Sequence, residues 1–305
     1  MEKIKSIIRK LIAIIIIIGI ILYLQNNEEN NIQERKTDNT KDVILETDKV
    51  PFQIQFLDVG EADCILIKNN NSYALVDAGN NEDGKKIVAY FKDLGITQFD
   101  YVFATHPHED HIGGMDDIIK NFIVKEYYMI DMELDIMTYK EIITILNKKN
   151  IAYKIPKIGQ IFNLDDATIE VLWLDNDIED INKDSMILKV QYKNTLYLLT
   201  GDATIDSEKE ILDKDIKSDV LKVGHHGSKY SSSAEFLQKV HPQYAIISVG
   251  KDNDYGFPKK VILDKLEYLN ATIYRTDLNG TIIVSSNGEA INIETKITDT
   301  NNEKK

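Results

Sequence analysis

Cysteine, proline and tryptophan are scarce in this chain of 305 residues, which has one Cys, five Pro and one Trp. The single thiol, Cys64, excludes an intramolecular disulfide framework and every zinc motif built from several cysteines. Any metal must therefore be held mainly by imidazole and carboxylate. Positive charge is also in deficit, with 36 Lys+Arg against 50 Asp+Glu and a net charge of −14. That balance repels polyanions and argues against a passive nucleic-acid binder with a broad basic face. No repeat of fixed period is visible. With 43% hydrophobic residues the composition is globular, and the chain is long enough for a sizeable core.

Long apolar runs are confined to one place, Leu11 to Leu24. Counted from Ile4, with Lys5, Arg9 and Lys10 snorkelling to the headgroups, the segment would span roughly 31 Å as a helix. The Leu22-Tyr23-Leu24-Gln25-Asn26 exit lacks the small residues of a signal-peptidase site, so residues 1–24 read as an uncleaved single-pass anchor. Lys3, Lys5, Arg9 and Lys10 all precede the run, which keeps the N-terminus cytoplasmic and the rest of the chain extracytoplasmic. Residues 25–50 are polar and read as a linker, with Val43-Ile44-Leu45 the only candidate strand. The folded body is expected over 51–295 and an unstructured tail over 296–305.

Within that body, Phe52, Ile54 and Phe56 alternate with Gln53 and Gln55, as in a strand. Cys64 to Ile67 and Tyr73 to Val76 form a hairpin across an Asn-rich turn. Ile87, Val88, Phe91 and Leu94 have helical spacing. Tyr101 to Ala104 is a strand that runs into Thr105-His106. Further helices are expected near 138–149, 205–213, 234–240 and 259–269. Further strands are expected near 168–174, 185–192, 195–200, 220–223, 244–249, 272–275, 281–285 and 289–293. Hairpins mixed with αβ units imply layered sheets with outer helices.

Five of the six histidines fall in two clusters, each after a strand. His106-Pro107-His108-Glu109-Asp110-His111 gathers three imidazoles and carboxylates within one short stretch, and a turn can aim them at a common centre. The second cluster is Gly224-His225-His226-Gly227-Ser228. Between them Leu198-Leu199-Thr200-Gly201-Asp202 ends a strand on a carboxylate, which can bridge two cations or cap a helix starting near Thr204. Imidazole and carboxylate together suit zinc, manganese or iron.

The His-x-His-x-Asp-His pattern resembles the metallo-β-lactamase superfamily, and the whole set of motifs is similar to the soluble domain of the ComEC/Rec2 competence proteins. Phe56 to Asp63 looks like that group's opening strand and loop, with Glu61-Ala62 where Gln-Gly is usual. Leu75-Val76-Asp77-Ala78-Gly79, Asp184-Ser185-Met186, Thr200-Gly201-Asp202 and His225-His226-Gly227-Ser228 match its later motifs. So do Gly250 to Pro258, with Phe257 in place of a histidine, and Arg275-Thr276-Asp277. The resemblance covers roughly Phe52 to Ile293.

It implies a four-layer αββα sandwich holding one or two divalent ions, Zn or Mn, at one edge of the paired sheets. His106 and His108 would hold one ion, Asp110 and His111 the other, and Asp202 would bridge. His225 or His226 would complete a sphere or move a proton, and strand alternation from Val223 ranks His225 first. Asp110, His225 and His226 are then the catalytic candidates, while Asp58, Asp63, Asp77, Asp184 and Ser228 would support the ligands. No histidine lies between His111 and His225, so the resemblance places Asp184 there instead. Cys64 reads as core packing.

The expected activity is hydrolysis by water that a bound cation acidifies. The leading substrate class is phosphodiester, single-stranded DNA in particular, with Lys222, Lys229, Lys251, Lys259 and Lys260 as a local basic patch. Small esters, lactones or thioesters are the alternative substrates, and a non-catalytic metal-binding surface module is the alternative class.

Overall fold

The computed structural model describes residues 50–130, 136–175 and 180–297. The expected anchor (1–24), linker residues 25–49 and tail residues 298–305 lie outside the described residues. Among the described residues no helix is long and apolar enough to cross a membrane. Val50 is buried, so the last residue assigned to the linker belongs to the folded body.

Strands β1 (Phe52–Phe56), β2 (Ile65–Asn69), β3 (Ser72–Val76), β4 (Gln98–Ala104), β5 (Ile123–Met129) and β6 (Tyr153–Lys154) come first. They are followed by β7 (Ile161–Leu164), β8 (Ala167–Trp173), β9 (Ile187–Tyr192), β10 (Thr195–Leu199), β11 (Val220–Lys222), β12 (Tyr244–Ile247) and β13 (Thr272–Arg275). β14 (Thr281–Ser286) and β15 (Ile291–Lys296) close the chain's described part, so Lys296 belongs to a strand and not to the tail. One sheet has the order β15-β14-β1-β2-β3-β4-β5-β6 and the other β13-β12-β11-β10-β9-β8-β7. The helices are α1 (Gly84–Asp93), α2 (Glu109–Ile112), α3 (Met115–Asn121), α4 (Met137–Lys149), α5 (Ile205–Lys209), α6 (Ala234–Val240), α7 (Lys260–Tyr268) and α8 (Thr276–Asn279).

The period-two side-chain pattern sorts residues into separate cores. Phe52, Ile54, Phe56, Ile65, Ile67, Ala74 and Phe103 turn inward and meet Phe162, Ile169, Leu188, Leu199 and Ile246 of the other sheet. Leu66, Leu75, Phe99 and Val102 point the opposite way, onto Phe91, Ile118 and Ile142 of the first helical layer. Leu198, Leu221, Ala245 and Ile247 pack likewise on Phe236, Leu237, Ile262 and Leu266. Three apolar interfaces separate four layers, which is the αββα sandwich expected. Cys64 packs in the first of these cores.

Differences from the sequence reading are local. The helix expected over 205–213 ends at Lys209, because the following amides of Glu210, Ile211 and Leu212 bond three residues back and tighten into turns. Its cap is Thr204 with Ser207, which leaves the Asp202 carboxylate free for another role. α2, α3 and β5 had no sequence forecast: the helices are short, and Lys125 and Glu126 interrupt the apolar pattern of β5.

Candidate metal centre

The site lies where parallel strands end. β3 and β4 run parallel in one sheet, and β10, β11 and β12 run parallel in the other. Their C-terminal ends deliver Asp77, His106, Asp202 and the His225-His226 turn to one rim of the sandwich, the position that parallel sheets favour for ligands. Cross-links fix the loops to one another. Ala78 N donates to His111 O, Asp63 N to Asp110 O, and Met186 N to Thr105 O. Asp202 N donates to Ser185 Oγ at 3.1 Å, which binds the Asp184 segment beside the bridging position.

The His106–His111 stretch is a turn through Pro107 followed by a single helical turn, α2. The sequence reading of a turn thus holds only for its first half. Gly113 and Gly114 end α2 against the 78–81 loop: a Cβ on Gly113 would sit 2.3 Å from Asn81 N, and one on Gly114 2.3 Å from Ala78 O. Only glycine allows that approach.

His225 and His226 both adopt left-handed backbone angles, φ +48° and +52°. Two consecutive non-glycine residues there cost conformational energy, which the fold must offset. β11 ends at Lys222, so strand alternation does not reach the pair. It is His226, not the first-ranked His225, that enters the deeper group of ligand atoms.

Two groups share Asp202. Asp110, His111, His226 and Asp202 form one; His106, His108 and Asp202 form the other. In the first, His111 Nε2 is 3.2 Å from Asp202 Oδ1 and 3.6 Å from Asp110 Oδ2. His226 Nε2 is 3.3 Å from Asp110 Oδ2 and 3.6 Å from Asp202 Oδ1. Ligand atoms about 2.1 Å from a tetrahedral ion lie about 3.4 Å apart, so this spacing fits. His111 Nε2, His226 Nε2 and Asp202 Oδ1 are buried without hydrogen-bond partners, which a cation would satisfy. In the second group Asp202 Oδ2 is 3.9 Å from His106 Nε2, and His106 Nε2 is 3.1 Å from His108 Nδ1. His225 Nε2 approaches the same Oδ2 at 3.6 Å but joins neither group.

Supporting contacts set the tautomers. Asp77 accepts from Thr105 N and Thr105 Oγ1 and lies 2.8 Å from His111 Nδ1. Ser248 O lies 2.8 Å from His226 Nδ1. Each bond places the proton on Nδ1 and frees Nε2 as a ligand. Burial alone would depress the pKa of His111, but Asp202, Asp110 and Asp77 outweigh it and raise it well above the usual range. His226 is raised by Asp202 and Asp110 against the same opposing burial. Burial, with His111 nearby, pushes His106 well down, and burial lowers His225. Burial raises Asp77. Asp202, although buried, is held well below the carboxylate range by His111 and His226, and Asp110 is depressed chiefly by His111 against its burial.

The remaining candidates divide. Asp63 and Asp77 group with His111, and Asp184 is fully buried in the segment tied to Asp202. Ser228 is buried in the turn, where its Oγ accepts from Tyr230 N, and is not among the grouped residues. Asp58 is not brought to the centre; it lines a separate cavity with Lys86, Tyr90 and Thr281. Lys222 is not part of a surface patch. It is fully buried, with Nζ 2.8 Å from Asp63 Oδ2, so it ties one sheet to a loop of the other beneath the histidines. Thr105, Ser185 and Lys222 were missed as site residues. For Lys222 the signal was there: one lysine inside the otherwise apolar Val220–Val223 run.

A family model described as "Metallo-beta-lactamase superfamily" matches residues 57–251. ComE operon protein 3 of Bacillus subtilis (strain 168) is 29% identical over 251 residues, covering 75% of this chain and 32% of its own length. Recombination protein 2 of Haemophilus influenzae is 28% identical over 243 residues, 78% of this chain and 29% of its own. Competence protein ComA of Neisseria gonorrhoeae is 26% identical over 235 residues, 74% and 31%. The chain thus spans about a third of the length of these relatives, and the resemblance to the ComEC/Rec2 group holds. The metallo-beta-lactamase fold protein YhfI from Bacillus subtilis shares the fold at a TM-score of 0.53 and 11% identity, over 76% of this chain and 99% of its own. With most of its described body matched and its histidine motif folded into one rim, the chain belongs to the metallo-β-lactamase superfamily.

Proposed function

We propose that this chain is a metal-dependent hydrolase that cuts phosphodiester bonds, with single-stranded DNA as the leading substrate. The observation that carries the reading is the convergence of His111 Nε2, His226 Nε2 and Asp110 on Asp202, where His111 Nε2, His226 Nε2 and Asp202 Oδ1 are buried with unmet polar demand. Similarity to proteins named for competence and recombination supports the substrate class. Residues 1–24 would anchor the chain in the membrane once, and 25–50 would tether the hydrolase body, 51–295, on the extracytoplasmic side.

Asp110, His111, His226 and Asp202 Oδ1 would hold one divalent ion, Zn or Mn, and His106, His108 and Asp202 Oδ2 a second. Such ions supply Lewis acidity and lower the pKa of water from about 15.7 toward about 7. The protein's own part is positional. Asp77 and Ser248 O hold the Nδ1 protons of His111 and His226 and aim Nε2 of each inward. His225, on the cavity wall and outside both groups, is the histidine assigned to pass a proton to the leaving group.

One observation favours the alternative of small esters, lactones or thioesters. Among the described residues, the cavity of about 920 Å³ over the site is lined by Glu61, Glu82 and Glu109 and by no Lys or Arg. Incubating the purified full chain with Mn²⁺ or Zn²⁺ and either single-stranded DNA or a lactone and thioester panel separates the two. Cutting of DNA, lost in Asp110→Ala, is the expected result. Turnover of the panel alone would replace the substrate class, and bound metal without any turnover would leave a non-catalytic module.

A further inference from the structure

Among the described residues, the wall of this cavity offers a phosphate no Lys or Arg side chain. What the wall does present is an aromatic stack. Tyr255 and Phe257 lie ring on ring, with centroids 5.4 Å apart and planes 14° apart, and both line the cavity. Tyr255 is 66% exposed, so the outer face of its ring is open to a ligand. Phe257 meets His225 edge to face at 5.7 Å, so the stack stands directly beside the second histidine cluster. Lys259 Nζ sits 5.3 Å from the Phe257 centroid.

The stack is also fixed in place. Asn253 Oδ1 accepts from Phe257 N at 2.8 Å, while its Nδ2 donates to Phe257 O and Gly250 O. Lys259 N donates to Gly227 O at 2.9 Å. Gly227, at φ +84°, lies so close to Pro258 that an added Cβ would come within 2.5 Å of the proline Cβ. The loop bearing the rings therefore cannot drift from the His225-His226 turn.

We infer that Tyr255 and Phe257 form a platform on which one unpaired base of a single-stranded nucleic acid stacks, placing the adjoining phosphodiester at the histidine cluster. The inference rests on the phosphodiesterase reading above. A π-face is the one feature every base offers regardless of sequence, and a base within a duplex has both faces already covered. Stacking supplies affinity without cationic side chains, which reconciles a polyanionic substrate with an acidic cavity. The backbone that carries the rings is already bonded in place, so the loop loses little freedom when a base lands on the stack.

The test is binding of a fluorescent oligothymidylate, and of an abasic phosphodiester of equal length, to the full chain in EDTA so that no cutting intervenes. The oligothymidylate is expected to bind between about 5-fold and about 150-fold more tightly than the abasic polymer. Tyr255→Ala should erase that preference and Tyr255→Phe should keep it; because Tyr255 is exposed, both variants should melt with the parent chain. Equal affinity for the two polymers, binding of neither, or a preference that survives in Tyr255→Ala overturns the platform. Adding Mn²⁺ then separates the two readings. Base-dependent binding without cutting sinks the phosphodiesterase and leaves the platform standing; cutting without base preference does the reverse.

Discussion

The two groups that share Asp202 are built to different standards. In the Asp110–His111–His226 group, both histidines are buried and each has its second nitrogen held, His111 by Asp77 and His226 by the Ser248 carbonyl. In the His106–His108 group, His108 is only half-buried, and His106 Nδ1 faces Thr105 Oγ1 at 3.2 Å, a hydroxyl already committed to Asp77. Preorganisation of this kind raises metal affinity, because the ligand needs no reorientation. The deep group is therefore expected to bind its ion more tightly than the shallow one.

The largest effect expected is from the shared residue. Asp202→Ala should abolish metal retention at both groups and reduce activity by about 10³-fold or more, with the circular dichroism spectrum unchanged. Retention of one tightly bound ion, measured by elemental analysis, would show that the groups are independent after all. Lys222→Met comes next, since it removes the nearest cation from the buried Asp63 carboxylate, leaving it only His111 Nδ1 at 4.0 Å, and should destabilise the fold by about 3–5 kcal/mol in urea unfolding. An unchanged midpoint would remove the cross-sheet ion pair from the account.

Asp77→Asn sharpens the comparison directly. It should weaken the tighter ion by about 10- to 100-fold in competitive chelator titration and spare the weaker one. Equal loss at both, or at neither, would erase the distinction. The dependence on pH tests the deep group without a substitution. Without an ion, His111 and His226 hold protons more strongly than a free imidazole, and an ion must displace them. Lowering pH from about 8 to about 6 should therefore weaken the deep ion by up to about tenfold per pH unit for each proton displaced. Affinity that rises on acidification would contradict the sign.

Much of this site is legible along the chain because its parts are contiguous. Three imidazoles and Asp110 within one short loop can only converge or be wasted, and the strand before them fixes where the loop starts. Asp202 and the His225-His226 pair are legible for the same reason: each ends an apolar strand. The supporting contacts are not, because they join distant segments. Nothing local distinguishes Asp77, which bonds Thr105 and His111, from Asp58, which faces another cavity. Lys222 stands out along the chain as one lysine in an apolar run, but its partner Asp63 comes from the opposite sheet. The order of the paired histidines also escaped, since alternation holds only while the backbone stays extended and both residues leave it for the left-handed region.

By itself the sequence determined layered sheets with outer helices, through period-two strands and amphipathic helices, and the clustering of imidazoles and carboxylates, through short-range spacing; the four-layer αββα order and the ligand assignments were what its resemblance to the metallo-β-lactamase superfamily implied. Tertiary structure alone decided that Asp202 faces both groups, that His226 enters the deeper one, and that Tyr255 stacks on Phe257 beside His225. The physical reason is range. Backbone propensity and side-chain periodicity act over a few residues, whereas ligand convergence, buried charge pairing and ring stacking depend on distances between segments that only the packed sheets bring together.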